Sequence, residues 1–379
     1  MVPVMCRRDP KPRGRRRALI LQLVAIAALT VPAPSAVGQA DRHYTLFGAY
    51  PGGAEGSLDL STVGPMNRWQ GKRAAILNVF GGTAVRVASM ETAWDQHGSV
   101  PMLSFIAPSP SSAVAEGRYD DSIFLPLIDR MKSFLAGPDG SLGTRDDRRA
   151  YFRYAWESNL ENKRYSPCNP VSGGSSRAFR RAWRHVHGLF AASGIKRHHL
   201  AWVYSISASD ASCPRAEPER TYPGRRYVDW LGIDVYASCG ALNLPLMIDW
   251  MRNRLHDIDP SKPIGINEVG ISSFEGEAKK NRIIGRYWRY VRAADLRMSL
   301  WFNSDKGDRR SCEEFEKPWA VFGRAHGDSR FTDCVKASCD SAQRFRGFSA
   351  YRDGVGRAWV EGADRSHPRY LSTRQFLGR

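Results

Sequence analysis

Two glutamates stand just past apolar runs that read as strands. Glu157 follows Tyr151-Phe152-Arg153-Tyr154-Ala155-Trp156, and Glu268 follows Pro263-Ile264-Gly265-Ile266-Asn267. A carboxylate placed at the end of a buried strand is costly to desolvate, so two of them mark a candidate site. Paired carboxyl groups suit the scission of a glycosidic bond. One carboxyl, protonated, donates to the leaving oxygen; the other, ionised, attacks carbon or activates water.

The residues around them suggest supporting roles. Side chains alternate along a strand, which puts Arg153 on the face of Glu157 and Asp234 on the face of Tyr236. A cation beside a general acid opposes its protonation, so Arg153 is expected to pair with another acid, Asp234 or Glu268. Tyr236 is expected to donate a hydrogen bond to Glu268 and keep it ionised. Asp234 is a candidate for binding sugar hydroxyls or orienting Tyr236, with a buried structural acid as the alternative. Flat rings stack on pyranose faces, and the chain has 11 Trp and 14 Tyr to supply them. Trp301 is the candidate platform at the cleavage point, and Trp156 and Trp202 are further candidates. A core role is the alternative for each.

Other chemistries lack their signatures. There is no HExxH, P-loop or GxSxG motif. His185 and His187 lie two apart on a predicted helix, and His198-His199 are adjacent; neither pair has metal-ligand spacing. Asp139, Asp146 and Asp147 lack the spacing of an EF-hand calcium loop. No cofactor and no metal are expected.

Eight strands are predicted to present these side chains: 44–49, 74–80, 100–107, 150–156, 200–206, 228–236, 263–268 and 297–303. Helices are predicted between them, among others over 121–135, 177–192, 246–255 and 279–294, where apolar residues recur at helical spacing. Alternation of this kind argues for parallel βαβ units. Eight units in a chain of 379 residues point to a closed (β/α)₈ TIM barrel of the α/β class, which needs about 250 residues and tolerates insertions. The stretch from Lys306 to about Arg346 breaks the rhythm and carries three cysteines. It reads as a disulfide-stapled insertion after strand eight. Residues 348–379 are expected to close the barrel with a last helix.

Residues 1–40 have a basic start, an apolar run over 18–31 and Gly38-Gln39-Ala40 as a cleavage site. They read as a signal peptide, leaving 41–379 as the catalytic domain of a secreted or periplasmic protein. No later stretch is apolar enough to span a bilayer. The whole chain carries a net charge of +18, and +12 remains after residues 1–40. Such a balance favours an anionic polymer or envelope, with a merely solvated basic surface as the alternative. No nucleic-acid motif accompanies it. Six cysteines remain (Cys168, Cys213, Cys239, Cys312, Cys334 and Cys339), an even number that suits disulfides in an exported chain; no CxxC pair suggests zinc. The chain is expected to be a monomer.

Five segments resemble glycoside hydrolase family 26, which includes β-mannanases and some β-glucanases and xylanases. "RYAWESN" (Arg153–Asn159) looks like its acid/base segment, with an Arg four residues before the Glu and an Asn two after; Arg153, Glu157 and Asn159 match. "AWRHVHGLF" (182–190), "LAWVYSI" (200–206) and "YPGRRYVDWLGIDVY" (222–236) follow in order, and "KPIGINEVG" (262–270) places Glu268 at the nucleophile position. The resemblance implies a (β/α)₈ fold and a retaining mechanism, with Glu268 as nucleophile and Glu157 as acid/base about 5–5.5 Å away. It makes Asn159 a candidate substrate-binding residue and a β-mannan the first substrate to consider. One departure is Trp156, where the family commonly has His. Hydrolysis of an acidic exopolysaccharide and a non-catalytic carbohydrate-binding barrel are the competing readings.

Overall fold

The computed structural model describes residues 43–379 apart from 53–59, 82–86, 238–242, 274, 307–316, 325–331 and 335–344. The expected signal segment, 1–40, lies outside the described residues. So do Cys239, Cys312 and Cys339 and the side chain of Cys334.

Eight parallel strands form the centre: β1 (Thr45–Tyr50), β2 (Ile76–Gly81), β3 (Val100–Phe105), β4 (Ala150–Tyr154), β5 (Leu200–Ser207), β6 (Trp230–Ala237), β7 (Ile264–Ile271) and β8 (Met298–Phe302). Each pairs with the next, and β1 pairs with β8 over Leu46–Tyr50, which closes the ring. The fold is the (β/α)₈ barrel that the alternating pattern predicts. A further short strand, Val360–Glu361, pairs with β1 outside the ring.

The helices form where apolar spacing and capping agree. Ser176–Ala192 buries Phe179, Ala182, Trp183, Val186 and Phe190, a stripe three and four residues apart, and the Ser175 side chain caps its start by accepting from Ala178 N. Leu244–Ile258 is capped by Asn243 and carries Pro245 in its first turn, where the missing N–H costs nothing. The helix predicted over 121–135 is regular only from Leu125 to Leu135, after a wider turn over Asp120–Phe124. Pro126 is the reason: without an N–H it sits in a first turn and not in a helix interior.

Two boundaries near the candidate site differ from expectation. β4 stops at Tyr154, two residues early, because Ala155 and Glu157 take positive φ (49° and 53°) and turn the chain. β7 runs on to Ile271, so Glu268 lies within the strand and not past its end. The register explains how it still reaches the lumen. Ile233 pairs with Ile266, but Asp234 pairs with Glu268, so β7 carries an extra residue, Asn267. The same irregularity faces β8. At such a bulge two successive side chains turn to one side. Asn267 fills the space beside Gly232, where a Cβ on that glycine would overlap its side-chain amide.

After β8 the described residues include two small antiparallel sheets: Asp305–Lys306 with Lys317–Pro318, and Phe322–Arg324, Thr332–Cys334 and Phe345–Phe348 together. The chain does not end in one closing helix. A helix over Ser349–Val355 packs on Glu277–Ala293, and the chain then passes under the barrel to a single turn, Thr373–Phe376. Gly354 makes the first contact possible: a Cβ there would overlap Trp288. No helix among the described residues is long and apolar enough to cross a membrane.

Candidate active site

Arg153 organises the carboxyl end of the barrel. It is fully buried on β4. Its Nη1 donates to Asp234 Oδ1 at 2.9 Å, its Nη2 to Glu268 Oε1, and its Nε to Ser104 Oγ at 2.8 Å. Burial works against its charge, but the two facing acids outweigh it and lift its pKa above the ordinary arginine value. Ser104 passes its own proton to Asn78 Oδ1 at 2.7 Å. A buried guanidinium needs such complete partnership.

Glu268 is held from both sides. Arg153 takes Oε1, and the Tyr236 hydroxyl donates to Oε2. Burial first, and then the Glu268 charge, pushes the Tyr236 phenol well above its usual range, so it stays a donor. Asp234 also accepts from Ser205 Oγ at 3.0 Å. Burial raises its pKa well above that of an ordinary carboxylate, against the pull of Arg153. Its Oδ2 has no hydrogen-bond partner among the described residues, which leaves that oxygen free to carry a proton.

Glu157 is brought over the lumen by the turn after β4, whose Glu157 N donates to Ser205 O at 2.9 Å. Its side chain retains 11% exposure. Lys163 places its Nζ 2.6 Å from Glu157 Oε2 and 5.0 Å from the centre of the Trp156 ring. Trp156 in turn lies over Arg153 (5.3 Å) and against Phe80 (5.3 Å). The charge of Glu157 acts on both Arg153 and Tyr236, so the two glutamates share one electrostatic site.

The structure gathers Arg153, Trp156, Glu157, Asp234, Tyr236 and Glu268 together and leaves three candidates elsewhere. Asn159 is fully buried: its Nδ2 donates to Ser207 O and Ser209 O, and its Oδ1 accepts from Ser207 N. It ties the turn after β4 to the end of β5 and has no exposed surface in this structure. Trp202 pairs in register with Phe152, on the opposite face from Arg153, and packs outward against Trp183 and Phe190. Trp301 is 1% exposed, donates from Nε1 to Trp319 O at 2.8 Å, and packs on Tyr287 and Tyr351. Strand alternation turns both tryptophans toward the helices.

An aromatic cluster the sequence did not single out lies at the carboxyl ends of the strands instead. Tyr50, Phe302 and Trp319 are buried there, Phe80 and Tyr236 keep partial exposure, and Trp319 is tilted on Tyr236 at 4.2 Å. Trp319 arrives from the insertion, and Lys163 from the turn after β4, where no strand periodicity exists to point at them. That turn is also fastened by the Cys168–Cys213 disulfide to the loop after β5.

Among the described residues, one group has the makings of a metal site: Asp147, His198 and His199, whose ligand atoms lie within 4.8 Å of one another. His199 Nδ1 accepts from Lys196 N at 3.3 Å, so Nε2 carries the proton and gives it to Asp147 Oδ2 at 3.0 Å. Asp147 also accepts from Gly143 N and Thr144 N. With His199 serving as a donor, the group is a hydrogen-bonded lock at the entrance to β4 and β5.

Residues 173–269 match the model of glycosyl hydrolase family 26. That span holds Asp234, Tyr236 and Glu268 and stops short of Glu157. Two solved structures share the fold. The modular endo-β-1,4-mannanase of Cellulomonas fimi aligns with a TM-score of 0.55 at 15% identity, over 87% of this chain and 73% of its own. A β-mannanase from a symbiotic protist of the termite Reticulitermes speratus, complexed with gluco-manno-oligosaccharide, aligns at 0.50 and 15% identity, over 85% and 89%. No curated protein matches the chain by sequence. Over residues 173–269, which run through β5, β6 and β7 of this barrel, the chain is thus similar to glycosyl hydrolase family 26.

Proposed function

We propose that the chain is an exported, retaining endo-β-glycanase that cleaves an extracellular polysaccharide, with β-mannan as its first substrate. The observation that carries this reading is the grip on Glu268: Arg153 and Tyr236 hold its two oxygens, and the charge of a second carboxyl group, Glu157, reaches the same two residues. A carboxylate so held is an oriented nucleophile. Glu268 attacks the anomeric carbon as Glu157 protonates the leaving glycosidic oxygen. Glu157, now ionised, takes a proton from water, which displaces Glu268 and frees the sugar. The two solved structures above are of mannanases, which supports β-mannan as the starting point. The Cys168–Cys213 bridge and the signal-like residues 1–40 support export to an oxidising compartment.

An acidic exopolysaccharide is the second substrate reading. The +12 balance of residues 41–379 and the ammonium of Lys163 at the site favour it.

The test is reducing-sugar release from β-mannan, mixed-linkage glucan and acidic exopolysaccharides by the parent and by Glu268→Ala. Release that falls at least about 10⁴-fold in the variant supports the reading and names the substrate. A folded, oxidised parent that releases nothing but still binds the polymers points to the carbohydrate-binding barrel.

A further inference from the structure

The other end of the barrel is strongly basic. A cavity of about 630 Å³ opens there, lined by residues just before β5, β6, β7 and β8: Arg197, Arg225, Lys262 and Arg297, joined by Arg252. A second hollow of about 440 Å³ shares Arg197, Arg225 and Lys262 and adds Lys196 and Arg226. The two make one concave track at the amino ends of the strands, away from Glu157 and Glu268.

Two acids line the first cavity, and both are already engaged. Asp229 accepts from Arg197 Nε and, through Oδ2, from Trp202 N at 2.9 Å. Asp295 pairs with His43 and Arg297. The Arg225 guanidinium and the Lys262 ammonium have no hydrogen-bond or ion-pair partner among the described residues. Lys262 is half-buried, and its burial and then the neighbouring Arg197 push its pKa down against the pull of Asp229 and Asp259. Like charges gathered in a hollow repel one another unless a counter-charge joins them.

We propose that this track is a second binding site, for a carboxylated polysaccharide. Carboxylates on a flexible chain meet the guanidinium and ammonium groups in turn. Pro260, Pro263, Ile264 and Leu377 line the same cavity and give the apolar faces of sugar rings something to rest on. The hollow takes separate anionic groups into a recess, whereas a nucleic-acid duplex is met by a convex element entering its groove. The choice of a glycan rests on the hydrolase reading; the basic recess does not. A chain docked here leaves the catalytic end free and raises the local concentration of polymer around it.

The experiment measures binding of fluorescent oligogalacturonate, as a model uronate chain, to the oxidised protein by anisotropy at two salt concentrations. Neutral glucomannan and duplex DNA of matched charge serve as competitors. Glu268→Ala is run beside the parent, since loss of catalysis should leave this binding unchanged even if the catalytic reading fails. The proposal expects salt-sensitive binding, weakened about tenfold or more in Arg225→Glu/Lys262→Glu and less in Arg225→Ala/Lys262→Ala, both with the parent's thermal midpoint. Glucomannan should not compete. Absence of binding by the parent, undiminished binding by both folded double variants, or equal competition by DNA would each overturn it.

Discussion

The ammonium of Lys163 lies 2.6 Å from Oε2 of Glu157. The pair sits at the mouth of the lumen, with the Lys163 side chain 22% exposed and braced on Trp156. In the proposed mechanism Glu157 meets the leaving oxygen, and the ammonium occupies one of its two carboxyl oxygens. Lys163→Met should therefore change kcat/KM by about two- to fivefold, with a thermal midpoint close to the parent's. An unchanged kcat/KM in a folded variant would place Lys163 outside the catalytic step.

Arg153 answers to two buried acids at once. Truncating it strands both Asp234 and Glu268 in the barrel interior. Arg153→Met should lower unfolding stability by about 3–5 kcal/mol. Arg153→Met/Asp234→Leu should recover part of that loss, because one stranded acid leaves with the cation. Denaturant unfolding measures both; a single variant as stable as the parent would mean the acids find protons or partners of their own.

Tyr236→Phe removes one hydroxyl and keeps the ring that packs on Trp319. A hydrogen bond to a charged group contributes about 1.5–3 kcal/mol. The expected result is a kcat about 10- to 100-fold lower with stability close to the parent's. A matching fall in thermal midpoint would assign the hydroxyl to folding and not to Glu268.

Acid should destabilise the fold well before the carboxylates titrate. Burial lowers the pKa of His97, His187, His198, His199 and His367 below the ordinary 6.5. The unfolded chain then binds more protons than the folded one once pH falls through 6.5, and stability drops until the pH is below the folded values. Thermal midpoints at pH 7.5, 6.5 and 5.5 should decline, most steeply over the last interval. A flat series would show that these rings protonate without cost in the fold.

Much of this was legible in the residues, and the exceptions have common causes. The eight strands announced themselves as apolar runs, and counting side chains by twos along β4 and β6 placed Arg153, Asp234 and Tyr236 in one lumen. The same counting, applied to Trp202 and Trp301, would have turned both outward; large aromatic side chains invite a stacking role whichever way the strand faces them. Lys163 and Trp319 were invisible because each reaches the site from irregular chain, where position follows from tertiary packing and not from period. Asn159 matched a family position, yet it is fully buried and its amide braces the turn after β4 against the end of β5.

The extra residue in β7 has a consequence of its own. Below it, the strand keeps step with both neighbours; above it, the strand is one residue ahead. Asn267 is thus a change of reading frame written into the barrel wall. Deleting it would restore even pairing and leave Glu268 opposite Asp234, still on the lumen side of the strand. What the added length supplies is a second successive lumen side chain, the amide of Asn267 set against Gly232 just before the carboxylate.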